Sequence, residues 1–201
     1  MSLDHTQLPA HQTLLKLLER GVEQSAKRLG RLSFSTWRLD TVSLSQGAST
    51  AADELLGLSE DQHFGTFLGI PGGGFLLMFP PKSGNLVINR FTLYSSETVD
   101  SMEQREPKVL AEVSNIIINA MVDVFADTCG QAILLSAPTP LQGTKKDILR
   151  QAREKFPAAG RPAWICYVRL KTPTFASDCD LLAFMDPSLF DMLSNHDKPA
   201  S

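Results

Sequence analysis

Val109-Leu110-Ala111-Glu112-Val113-Ser114-Asn115-Ile116-Ile117-Ile118-Asn119-Ala120-Met121-Val122-Asp123-Val124-Phe125-Ala126 is the stretch from which the rest of the sequence can be read. At about 100° per residue, Lys108, Glu112, Asn115, Asn119 and Asp123 fall within roughly 80° of one another. Nearly everything else is apolar, so the spacing predicts a helix packed on almost all sides with one narrow polar stripe. Any helix can carry a wet side. Here the middle of the stripe holds two Asn, mediocre helix formers where Glu, Lys or Gln would serve solubility better. Glu112, Asn115 and Asn119 are therefore candidate functional residues. They are expected on an exposed ridge, above buried Val113, Ile116 and Ile117.

Outward from this helix, expected over Pro107–Asp127 with a stop at Gly130, the sequence predicts a strand at 131–137 and a polar helix at 144–155. Strands at 163–170 and 179–185 follow. A last helix opens at Asp186-Pro187, where Asp can cap and Pro suits the first turn. Upstream the same order occurs once before. Leu14, Leu15, Leu17, Leu18, Val22, Ala26 and Leu29 follow helical spacing up to Gly30. A strand is expected over 32–44 and a short helix within 47–62. A hairpin of 64–70 and 74–80 turns at Pro71-Gly72-Gly73, and a shorter apolar segment follows at 85–93. Gly30 and Gly130 each close a helix and open a strand, 130 − 30 = 100 residues apart. The chain 1–201 thus reads as a single domain of two pseudo-repeat halves, about 10–95 and 105–195. Its expected class is α+β: an internally duplicated α/β sandwich, with a mostly antiparallel sheet under two long pseudo-twofold-related helices.

Composition narrows the function. With 201 residues, 43% hydrophobic and 20% charged, the chain can bury an ordinary core. A net charge of −3 with scattered basic residues gives no pull toward nucleic acid. The one adjacent Lys pair, Lys145-Lys146, reads as a solvated helix start. Cys129, Cys166 and Cys179 form no Cys-x-x-Cys, and the four His stand apart, so neither a disulfide framework nor a metal site is expected. Neither a basic-then-apolar leader nor an apolar stretch of the roughly 18 residues of a membrane span is read from the sequence, and a cytoplasmic protein away from the membrane is expected. Gly69-Ile-Pro-Gly-Gly-Gly-Phe is not a phosphate-binding loop. Ser114 and Ser136 have no His at a recognisable distance. Asp178 and Asp180 read as turn residues, and Trp37 and Trp164 as core.

Glu112-x-x-Asn115, followed by twenty-two residues and then Pro138, resembles the Glu-x-x-Asn…Pro signature of the CheC/CheX/FliY phosphatases. The twice-given order of elements resembles CheC over nearly the whole chain, and Asp180 to Leu193 looks like that family's closing strand and helix. The resemblance implies hydrolysis of the aspartyl phosphate of a CheY-like response regulator. Asn115 would position the attacking water, Glu112 would pair with the regulator's Lys, and Pro138, Asn119 and Lys108 would support them. No cofactor of its own is implied, because Mg2+ is supplied by the regulator. A CheD-like protein is a further possible partner, and a monomer is expected. The family usually has Asp or Ser where this chain has Lys108. CheC commonly carries the motif on both long helices, whereas the 100-residue offset sets Gln12 opposite Glu112, Leu15 opposite Asn115 and Arg38 opposite Pro138. One active site per chain is therefore expected. The alternative is a non-enzymatic module of the same fold that binds or sequesters a phosphorylated receiver, or acts in the flagellar switch.

Overall fold

The computed structural model describes residues 8–47, 52, 56–57, 60–92, 102–155 and 163–195. The order is α1 (Leu8–Ser33), β1 (Arg38–Gly47), β2 (Gln62–Ile70), β3 (Gly73–Phe79), α2 (Pro81–Thr92) and α3 (Met102–Cys129). It continues with β4 (Thr139–Thr144), α4 (Lys145–Lys155), β5 (Ala163–Thr172), β6 (Ser177–Met185) and α5 (Pro187–Ser194). Most of the short helix expected within 47–62 lies outside the described residues.

The strands form one antiparallel sheet in the order β1-β5-β6-β3-β2-β4. Exchanging the halves (β1 with β4, β2 with β5, β3 with β6) gives the same order backwards. The sheet is therefore palindromic, with a pseudo-twofold between β3 and β6. Each edge strand pairs with the opposite half, so neither half could complete its sheet alone. The helices carry the same relation. Gly21 and Met121, 100 residues apart, meet where α1 and α3 pack, and a Cβ on Gly21 would lie 3.3 Å from the Met121 Cα. Any larger side chain at position 21 would crowd Met121 and push the two helices apart by a few tenths of an ångström. Ser25 then donates from Oγ to the Ile117 carbonyl at 2.7 Å, joining the two helices.

Two cores follow from the layering. Leu14, Leu18, Phe75, Leu77, Ile117, Met121 and Phe125 belong to the larger one, between the long helices and the sheet. On the other face, Ile148, Leu149 and Ala152 of α4 pack with Phe67, Leu76, Ile165 and Leu182. β3 and nearly all of β6 are buried along their whole length, as expected of central strands covered on both faces. Cys166 and Cys179 are buried small hydrophobes, and burial pushes both thiols up. Trp37 and Trp164 are core residues.

Several sequence expectations are corrected. α1 does not stop at Gly30 but runs to Ser33, and Phe34, at φ 47, makes the turn before β1. β1 therefore begins at Arg38 rather than at 32. The strand expected at 131–137 does not form. The Gly69 amide donates to Ser136 Oγ at 2.8 Å instead of to a backbone carbonyl, and Pro138 has no N–H to give, so the ladder with β2 starts at Thr139. Pro140 fits within β4 because β4 is an edge strand. The 85–93 segment lies mostly in α2, which ends at Thr92. Pro107–Cys129 is, by length and composition, apolar enough to cross a membrane, contrary to expectation. Its polar stripe is too thin to interrupt it, and its apolar side chains are spent on α1 and the sheet.

Candidate functional site

α3 carries the stripe, and its construction is simple. Leu110, Val113, Ile117, Ile118, Met121, Val122 and Phe125 are buried on one side. Lys108, Glu112 and Asp123 are exposed on the other, with Asn115 and Asn119 half-buried between them. Ile116 is half-buried rather than buried, so the ridge has an apolar flank. Ser114 is fully buried and donates to the Leu110 carbonyl at 2.6 Å, which removes it as a nucleophile.

Within the stripe the side chains are not equivalent. Asn119 Nδ2 lies 2.6 Å from Asn115 Oδ1 and 2.8 Å from the Asn115 carbonyl oxygen, so both its protons are directed at Asn115. The Asn115 amide keeps its two N–H donors and the second lone pair of Oδ1. Asp123 ends the ridge in an ion pair with Arg28 of α1 at 2.6 Å. Among the described residues no ion pair within 4.0 Å engages Glu112 or Lys108, so both charges stand ready for a partner. Pro138 is half-buried just before β4, two residues after Ser136, whose amide donates to the Gly69 carbonyl at 2.9 Å. One turn toward the N-terminus of α3, Pro107 and Leu110 line a small cleft of about 160 Å³ with Phe64, Gly65, Pro140, Leu141 and Gln142.

The fold that carries this ridge is shared with solved structures. FliY from Thermotoga maritima superposes with a TM-score of 0.68 at 10% identity, covering 98% of both chains. FliM in a FliM–SpeE complex from H. pylori gives 0.66 at 11% identity, covering 99% of this chain and 100% of that one. The chemotaxis protein CheX from Desulfovibrio desulfuricans gives 0.53 at 9% identity, covering 85% and 99%. The chain has the FliY/FliM/CheX fold. No protein-family model and no curated protein sequence matches it.

In this chain α1 is the counterpart of α3 by the palindromic strand order and the 100-residue offset, and it lacks the stripe's chemistry. Gln12 is exposed and Leu15 half-buried.

Sequence reasoning missed a second polar cluster, on the sheet face away from α3. Asp180, in β6 rather than in a turn, is 2% exposed. It accepts from Tyr167 OH and Arg169 Nε, each at 2.8 Å, and pairs with Lys145 Nζ at 3.3 Å. Lys145 is no solvated helix start: it is 8% exposed and also donates to the Leu56 carbonyl at 2.9 Å. Burial alone would raise the Asp180 carboxyl, but the Arg169 and Tyr167 hydrogen bonds and the Lys145 charge outweigh it and hold the group below the usual carboxylate range. Asp178, also in β6, accepts from Ser83 Oγ at 2.6 Å and ties α2 to the sheet. The one available signal was a pair of Asp at alternate positions, 178 and 180, leading into an apolar run.

Proposed function

We propose that this chain dephosphorylates the aspartyl phosphate of a CheY-like response regulator. The observation that carries the reading is the ridge of α3. Glu112 is exposed and, among the described residues, without an ion pair, one turn from a half-buried Asn115 whose amide N–H groups make no hydrogen bond to a described residue. In the reaction a water oxygen forms a bond to phosphorus as the bond from phosphorus to the aspartyl oxygen breaks. The products are inorganic phosphate and the free carboxylate, and the water's proton passes to phosphate or solvent. Mg2+ and a Lys of the regulator handle the charge that develops, so the phosphatase need only position water. Asn115 does so by donating to a phosphoryl oxygen through Nδ2 while its free Oδ1 lone pair accepts from the water. Glu112 pairs with the regulator's Lys and sets the register of the two proteins. Lys108 adds a positive charge that suits an acidic partner surface, and Pro138 shapes the chain entering β4. A cytoplasmic setting, a monomeric chain and a possible CheD-like regulatory partner accompany this reading.

A second reading has a specific observation in its favour. FliM of the same fold occurs in a complex with SpeE, and Lys108 departs from the phosphatase signature. On that reading the ridge is a docking face that binds or sequesters a phosphorylated receiver without turning it over. A phosphate-release assay across a panel of acetyl-phosphate-loaded receiver domains separates the two. Catalytic release with at least one receiver supports the phosphatase. Stoichiometric binding of phosphorylated receiver without release supports the docking module.

A further inference from the structure

We infer that Asn119 is a positioning residue for the proposed hydrolysis: its amide fixes the orientation of the Asn115 amide. The inference rests on the phosphatase reading and adds to it a residue outside the Glu-x-x-Asn…Pro pattern. An Asn side chain turns freely about its terminal torsion, and the two ends of its amide are opposite in hydrogen-bonding sense. A water-positioning Asn is effective only if one orientation is held before the regulator arrives, because freedom lost on binding is subtracted from the catalytic gain.

α3 supplies that hold from one turn further along. Asn119 stands four residues after Asn115, the spacing at which helical side chains meet. Its Nδ2 reaches Asn115 Oδ1 at 2.6 Å and the Asn115 carbonyl at 2.8 Å. Nδ2 is donor only, so Oδ1 of Asn115 must face Asn119, which leaves Nδ2 of Asn115 as the end of the amide turned away from Asn119. Asn119 itself is half-buried, and its donors are both committed. It therefore has no side-chain N–H left for the regulator, and its donors act through Asn115. Asp123, the next stripe residue, is committed elsewhere, to Arg28 of α1. The relay thus ends at Asn119. This also accounts for Asn at position 119, where a stronger helix former would serve stability better.

The test uses the full chain with a CheY receiver domain loaded by acetyl phosphate in Mg2+, measuring kcat and KM for Asn119→Ala, Asn119→Gln and Asn115→Ala. Ala favours the helix, so Asn119→Ala should fold; thermal unfolding by circular dichroism checks this, and Asn119→Leu is the substitute if it does not. Asn119→Ala should lower kcat about tenfold with KM within about twofold of wild type, the mark of an interaction that matters in the transition state rather than in docking. Asn119→Gln, which keeps a donor that can reach Asn115, should recover most of the loss. A packing role would give a fall in Tm and no such split. If Asn115→Ala is crippled while Asn119→Ala turns over within about threefold of wild type, the positioning role is overturned and the phosphatase reading stands. If Asn115→Ala is as active as wild type, or wild type releases no phosphate above buffer, the reading beneath the inference fails and the inference with it.

Discussion

Replacing Asp180 by Ala removes the acceptor shared by Tyr167, Arg169 and Lys145. The three donors do not suffer equally. The Arg169 side chain is 32% exposed and can turn toward water, whereas that of Lys145 is 9% exposed and keeps only the Leu56 carbonyl. An ammonium left buried without its counter-ion costs about 3–5 kcal/mol. For a chain of this size each kcal/mol lowers Tm by about 2–4 °C, so Asp180→Ala should melt about 6–20 °C below wild type. Thermal and urea unfolding followed by circular dichroism measure this directly. A double variant, Asp180→Leu with Lys145→Met, should recover much of the loss, because it removes both charges rather than one. The pH dependence gives an independent check. Because Asp180 titrates lower in the folded chain than in the unfolded one, its contribution is fully present above about pH 4–5 and is lost as pH falls through the folded value. Wild type should lose stability on acidification more steeply than Asp180→Ala. A loss below about 1 kcal/mol for Asp180→Ala, the worth of an exposed pair such as Arg150–Glu154, would refute the argument that Lys145 depends on Asp180.

Two further predictions concern the ridge and its degenerate counterpart. Glu112→Ala should lower kcat/KM on the order of 10² with a larger share in KM than Asn115→Ala shows, and steady-state kinetics against regulator concentration measures the split. Gln12→Ala and Leu15→Ala should leave turnover nearly unchanged apart from any stability cost. Titration with a non-hydrolysable phospho-mimic of the regulator should saturate at one per chain. A saturation value of two, or a tenfold activity loss in a well-folded Gln12→Ala, would mean that α1 also carries a working site.

What could be read ahead of the structure was what local spacing encodes. The apolar ring around Lys108, Glu112, Asn115, Asn119 and Asp123 specified α3 and its polar stripe, although Asn115 and Asn119 are half-buried rather than exposed as expected. Asp186-Pro187 specified the start of α5, where Asp186 Oδ1 accepts from the Leu189 amide at 2.8 Å. The offset between Gly30 and Gly130 is also the separation of Gly21 and Met121, which meet where α1 and α3 pack. What could not be read depends on partners distant in sequence. Ile133 and Leu135 alternate as a strand would, and only the Ser136 hydroxyl meeting Gly69 shows why the ladder stops short. Lys145 resembles any surface lysine until β6 brings Asp180 beneath it. Asn119 carried a helical-face signal, but its commitment to Asn115 is a matter of side-chain geometry that spacing alone does not fix.

The central claim is that an amide on α3 positions the water that hydrolyses a regulator's aspartyl phosphate. Its most direct test is single-turnover phosphate release from a saturated complex of regulator with wild type or Asn115→Ala, in which binding no longer limits the rate. The account predicts that Asn115→Ala binds the phosphorylated receiver with affinity within a fewfold of wild type and releases phosphate slower by a factor on the order of 10². Release within about threefold of wild type from that saturated complex would contradict it.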